Sequence, residues 1–110
     1  MYRTVYIINA IKSVNYNTVK SYVGKCEQVE FDVLDEEGNS LLHKAAETLM
    51  IHDNSPALID DCVRIVKLLA LYIDGRIRNT RGALAVHIVF QLKNEKIQPA
   101  LDALLSLIHI

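Results

Sequence analysis

The chain lacks tryptophan altogether and carries only two cysteines, two prolines and four glycines in 110 residues. Cys26 and Cys62 stand alone, with no C-x-x-C spacing, so the sequence points to buried thiols rather than a disulfide framework. Neither cysteine has a histidine nearby at ligand spacing, and His43, His52, His87 and His109 form no close pairs, which argues against zinc. Net charge is only −1 and no basic tail is present, so nucleic acid and anionic membrane are not expected partners. The longest apolar runs, such as residues 68–73, are far too short to span a bilayer. Residues 1–11 lack the basic start, longer apolar run and small-residue cleavage site of a secretory signal. A cytoplasmic or nuclear location is the expectation. Glycines at 24, 38, 75 and 82 build no phosphate loop, and no nucleophile–base or carboxylate pair has usable spacing. The chain is therefore read as non-enzymatic, with no cofactor.

What is present is apolar content and self-similarity. A hydrophobic fraction of 51% and a mean hydropathy of +0.17 exclude disorder, and the length fits one domain. The stretch Asp35-Glu36-Glu37-Gly38-Asn39-Ser40-Leu41-Leu42-His43-Lys44-Ala45-Ala46 recurs in outline as Asn79-Thr80-Arg81-Gly82-Ala83-Leu84-Ala85-Val86-His87-Ile88-Val89-Phe90. In both copies an Asx residue precedes a Gly by three positions, and that Gly precedes a His by five. Repetition of this kind outranks local propensity in assigning a fold. Gly38 and Gly82 suit turn positions that need positive φ or close backbone approach. Ala45 and Ala46 suit close approach of neighbouring helices.

The pattern resembles the ankyrin repeat, whose consensus here is D-x-x-G-x-T-P-L-H-x-A-A. The resemblance covers roughly residues 14–108 and is strongest over 35–46. It implies an all-α stack of about three helix pairs with β-hairpin-like fingers, near the minimum such stacks need. The implied units are a cap repeat over 1–34, a repeat over 35–78 and a C-terminal repeat over 79–110. Gly38 and Gly82 lie 44 positions apart, against a period of about 33 in the family. The spacing of 17 from Ile65 to Gly82 matches the consensus, so the surplus falls in an insertion over 48–61, expected to be exposed. Asp53-Asn54-Ser55-Pro56 makes that segment turn-rich. Leu41 and Ala85 replace the consensus Pro, Leu84 replaces Thr, and Val89-Phe90 replaces the paired alanines.

In this register residues 2–14, which could also read as a strand, become a helix. A second helix over 18–25 takes Asn15 or Asn17 as cap and turns Val19, Tyr22 and Val23 inward. Further helices are expected over 41–50, then from an Asp60 or Asp61 cap with Cys62, Ile65, Val66, Leu68, Leu69 and Tyr72 inward, then over 86–92. Residues 93–98 read as a polar connector, and Pro99 suits the first turn of a last helix over 99–108. Fingers should occupy 26–38 and 73–82. In the family the motif His, here His43 and His87, bonds within the turn-to-helix junction and towards adjacent repeats. With Asp35, Gly38, Ala45, Ala46, Asn79 and Gly82 these are framework residues.

Two charge blocks stand out. Glu27, Glu30, Asp32, Asp35, Glu36 and Glu37 put six acids in the first finger, while Arg76, Arg78 and Arg81 face Asp74 in the second. They read either as solvated turns that attract one another or as a bipolar binding edge, since fingers and inner helices form the family's recognition surface. That surface implies Glu36, Glu37, Asn39, Glu47, Arg78, Thr80, Arg81 and Gln91 as partner-binding candidates. The resemblance implies a protein-binding adaptor or competitive inhibitor of a host or cellular signalling protein. Short ankyrin proteins of large DNA viruses and polydnaviruses, some of them IκB-like, are similar in size and in degenerate repeats. The rival reading is a self-associating structural subunit, a homodimer through Leu101, Leu104, Leu105 and Ile108 of the apolar last helix.

Overall fold

A computed structural model describes residues 2–24, 36–52, 55–73, 76–92 and 95–108. The described residues contain six α-helices and no strand: α1 (Tyr2–Lys12), α2 (Tyr16–Val23), α3 (Leu41–Ile51), α4 (Ile59–Ala70), α5 (Ala85–Val89) and α6 (Gln98–Ile108). A short 3₁₀ turn, Glu95–Ile97, leads into α6.

Helix α1 stops because the chain turns left-handed at Val14, with φ +57°. The amide of Val14 bonds the Ile11 carbonyl at 3.0 Å and that of Asn15 reaches the Ala10 carbonyl at 2.9 Å, which satisfies the orphan carbonyls of the last turn. A β-branched residue is costly in this conformation. Burial of the Val14 side chain in the core offsets that cost. Asn15, not Asn17, caps α2: its Oδ1 accepts from the Thr18 amide at 3.2 Å. Val19, Tyr22 and Val23 are buried.

Helix α3 begins at a capping box in which Ser40 and His43 satisfy each other's backbone amides. It runs on to Ile51, through the first part of the expected insertion over 48–61. Thr48, Leu49 and Ile59 within that segment are buried and its ends belong to helices, while Pro56 and Ala57 are exposed, so the exposed connection is shorter than expected. Extending α3 buries Leu49, and the Thr48 hydroxyl is satisfied by the Lys44 carbonyl at 2.9 Å. Only residues 52–58 connect α3 to α4. Helix α4 starts earlier than an Asp60 or Asp61 cap would place it. Leu58 holds the N-cap position without a side-chain bond, and both acids lie in the first turn, where they favour the helix dipole. Burial of Ile59 pulls the helix start forward.

Helix α5 is shorter than the expected 86–92. It ends at Phe90, which faces solvent. The polar connector over 93–98 gives way to the 3₁₀ turn, and Pro99 sits in the first turn of α6, where its missing N–H costs nothing. The hairpin-like fingers are not seen as strands. Residues 25–35 lie outside the described residues, and in the second finger the Asn79 side chain takes the amides of Arg81 and Ala83, both at 3.0 Å. A ladder partner would otherwise have claimed those donors.

The helices pack in two rows. In one, α1 touches α3 and α3 touches α5; in the other, α2 touches α4 and α4 touches α6. Each helix of the first row also packs on its sequence neighbour in the second. One core runs between the rows, with Ile7, Leu42, Leu49, Ile65, Leu69, Val89 and Leu104 among its fully buried members. No helix of the described residues is long and apolar enough to cross a membrane.

Candidate interaction surface

The repeated motif residues sit at two turn-to-helix junctions, one before α3 and one before α5. Gly38 and Gly82 have φ of +77° and +79°, left-handed conformations that glycine adopts at least cost. Their surroundings differ. A Cβ on Gly38 would lie 3.1 Å from the Thr80 amide nitrogen and 3.3 Å from the Asn79 Cα, whereas one on Gly82 would meet nothing within 4 Å. Gly38 is thus required twice, by φ and by contact.

His43 is 1% exposed. Its Nδ1 accepts from the Ser40 amide at 3.1 Å and lies 2.9 Å from the Ser40 hydroxyl. A backbone N–H can only donate, so the ring proton resides on Nε2. That Nε2–H then donates to the Ala83 carbonyl 2.9 Å away, across 40 residues of sequence. His87 repeats the local half of this arrangement, accepting from the Leu84 amide at 3.0 Å. Leu84 has no hydroxyl with which to complete the box that Ser40 forms.

Two further bonds tie the junctions together. The Asn79 side-chain amide donates to Asn39 Oδ1 at 2.9 Å, and the Thr80 amide donates to the Glu37 carbonyl at 2.8 Å. Asn39 is 4% exposed, so it is removed from the partner-binding candidates: it is a buried strut, not a contact residue. Ala45 and Ala46 are buried where α3 packs between its neighbours, and small side chains there permit close approach. Asp35 lies outside the described residues.

Around the junctions the remaining candidates face solvent. Glu36, Glu37, Arg78, Thr80, Arg81 and Gln91 are exposed, and Glu47 is half-buried. The two blocks touch: Arg81 Nη2 lies 3.7 Å from Glu37 Oε2. Arg78 folds back, donating to the Gly82 carbonyl at 2.7 Å. Exposed pairs of this kind contribute at most ~1 kcal/mol, so they trim the turns rather than hold them. Glu27, Glu30, Asp32 and Asp74 lie outside the described residues.

The residues proposed for self-association divide differently. Leu104 is 1% exposed and belongs to the core, so it cannot serve a dimer face. Leu101 and Leu105 are half-buried against that core, and the Ile108 side chain lies outside the described set. Residue spacing alone misjudges α6 because both of its apolar sides read alike, whereas packing on α4 claims one of them.

Cys62 is free and buried. Desolvation, with the Asp61 charge second, pushes its thiol up to about 11. It is a packing residue with no thiolate to act as nucleophile near neutrality. Cys26 lies outside the described residues. Among those described, no three His, Cys, Asp or Glu side chains gather as a metal site would need.

A feature missed in the sequence lies on the outer side of the second row. Tyr16, Arg64, Lys67, Leu68, Leu71 and Ala103 line a cleft of about 340 Å³. Leu68, expected inward, is half-buried, and Tyr72, also expected inward, is exposed. The spacing of Arg64, Lys67, Leu68 and Leu71, at i, i+3, i+4 and i+7, was the available signal for one outward stripe. Comparison with protein-family models, with curated proteins and with solved structures finds no match for this chain.

Proposed function

We propose that this chain is a non-catalytic protein-interaction module, a short ankyrin-like stack of about three helix pairs that binds through its charged junction edge. The observation that carries the reading is the His43 Nε2 bond to the Ala83 carbonyl at 2.9 Å. It links one copy of the repeated motif to the other, as stacked units of one design would be linked. Matching left-handed glycines and the Asn39–Asn79 bond support the same reading.

A stack of this kind holds its turns on a rigid frame, and their tips carry side chains free to vary. Here the tips offer Glu36 and Glu37 beside Arg78 and Arg81, all exposed. Such an edge suits a partner protein of mixed charge, engaged at its rim, where charge sets specificity and association rate more than raw affinity. Occupying that partner's surface is the whole action, as adaptor or competitive inhibitor. The self-association reading loses ground with Leu104 in the core.

The test is affinity capture with the full chain as bait, run beside a bait carrying Glu36→Lys, Glu37→Lys, Arg78→Glu and Arg81→Glu. A partner retained by the first and absent from the second, with equal thermal stability of both baits, is the expected result. Identical capture by both would refute the edge.

A further inference from the structure

We infer that the outer face of the α2–α4–α6 row is a second docking surface, built to take an acidic amphipathic helix of a partner protein. The outward side of α4 and the residue that ends it carry Arg64, Lys67, Leu68 and Leu71 at i, i+3, i+4 and i+7, with Leu68 half-buried and the other three exposed. Its opposite side, with Cys62, Ile65, Val66 and Leu69, is already buried in the core. Leu71 is 77% exposed, the most exposed of the large apolar side chains described. Its weight comes from its neighbours: Leu68, Tyr16 and Ala103 are half-buried beside it and join it in one contiguous apolar patch.

The shape of the surface selects the occupant. Tyr16 of α2 and Ala103 of α6 flank the stripe, so the apolar patch lies in a shallow, open cleft between neighbouring helices. Clefts of this kind accept the ridge of another helix. A membrane surface would need a protruding apolar face and a larger basic cluster. Charge gives the sign of the partner. Arg64 is held above the Tyr16 ring at 6.0 Å and leans on Asp61 at 3.6 Å. Lys67, one turn on, has no ion-pair partner among the described residues. A helix with Leu-type residues at the same spacing, bordered by Asp or Glu, would bury Leu68 and Leu71 and bring a carboxylate to Lys67.

This surface uses none of the junction-edge residues, so it stands or falls apart from the function proposed above. A displayed random-peptide library is selected on the full chain, and enriched peptides are measured by fluorescence anisotropy. The variants are Lys67→Glu, Leu71→Asp and a junction double variant, Glu37→Lys with Arg81→Glu. Both outer residues are exposed, and thermal melts confirm that the variants remain folded. The expected result is enrichment of acidic peptides with apolar residues at helical spacing. Their binding should weaken on the order of tenfold or more in Lys67→Glu and in Leu71→Asp, and stay unchanged in the junction variant. Changing the peptide's acids to lysine should restore binding to Lys67→Glu. Enrichment of no peptide, or of peptides that bind Leu71→Asp as well as wild type, overturns the inference. So does binding to phosphatidylserine vesicles that Leu71→Asp abolishes while no peptide binds.

Discussion

At the scale of single residues, two glycines of the same sequence role have different physical burdens. Both hold left-handed backbone, which costs any L side chain roughly 1–2 kcal/mol. Only Gly38 also has backbone pressed against it, with the nearest atom 3.1 Å from where a Cβ would stand. Gly82→Ala should therefore lose about 1 kcal/mol by urea denaturation, and Gly38→Ala clearly more, because residues 79 and 80 must move. Equal losses would show that the contact between the junctions is loose. His43→Ala should cost on the order of 3 kcal/mol, since it strands the Ser40 amide and the Ala83 carbonyl at once. His87→Ala should cost less, having only the local bond to lose.

Cys62 gives a pH signature at the same scale. Its folded value of about 11 lies above the ordinary 9.0, so the unfolded chain ionises first as pH rises. The associated stability is fully present below pH 9 and is lost as pH climbs through about 11. That loss should be on the order of 3 kcal/mol in wild type and absent from the slope of Cys62→Ala, whatever the packing cost of the substitution. Parallel slopes for the two proteins between pH 9 and 11 would contradict it.

At the scale of elements, what could be read in advance depended on whether the controlling force was local. The junction was legible because Asx, Gly and His each act on backbone within a few residues, and that chemistry leaves a fixed spacing. Caps and boundaries were less so. Asp60 and Asp61 look like caps, yet burial of Ile59 draws the start of α4 ahead of them. Residues 48–51 look like the beginning of a loop, yet Leu49 finds core to pack on and α3 continues. Helix α6 is the clearest case, because its leucines are equivalent in sequence and unequal in space. Leu104→Ala should cost about 2–5 kcal/mol and Leu105→Ala appreciably less, since cavity cost follows burial. Comparable costs in denaturant titrations would mean that α6 sits differently on α4.

At the scale of the whole molecule, two rows of helices present two unlike surfaces. The junction edge is charged with both signs, with Glu36 and Glu37 beside Arg78 and Arg81. The outer cleft is apolar and bordered by cations. The edge was legible as charge blocks in the sequence, whereas the cleft was not, because it forms only when Tyr16, Arg64 and Ala103, from three separate helices, are brought together.

The central claim, that the junction edge binds protein, is tested most directly by the affinity of a captured partner for three proteins at low and at high salt. These are wild type, Glu36→Lys with Glu37→Lys, and Leu101→Gln with Leu105→Gln. Rim charges act through a field that salt screens within about 10 Å at 0.1 M. The glutamate variant should bind weakly at low salt, its deficit should shrink as salt is raised, and the α6 variant should bind as wild type does. Loss confined to the α6 variant, equal at both salts, would contradict the edge and favour an apolar interface on the last helix instead.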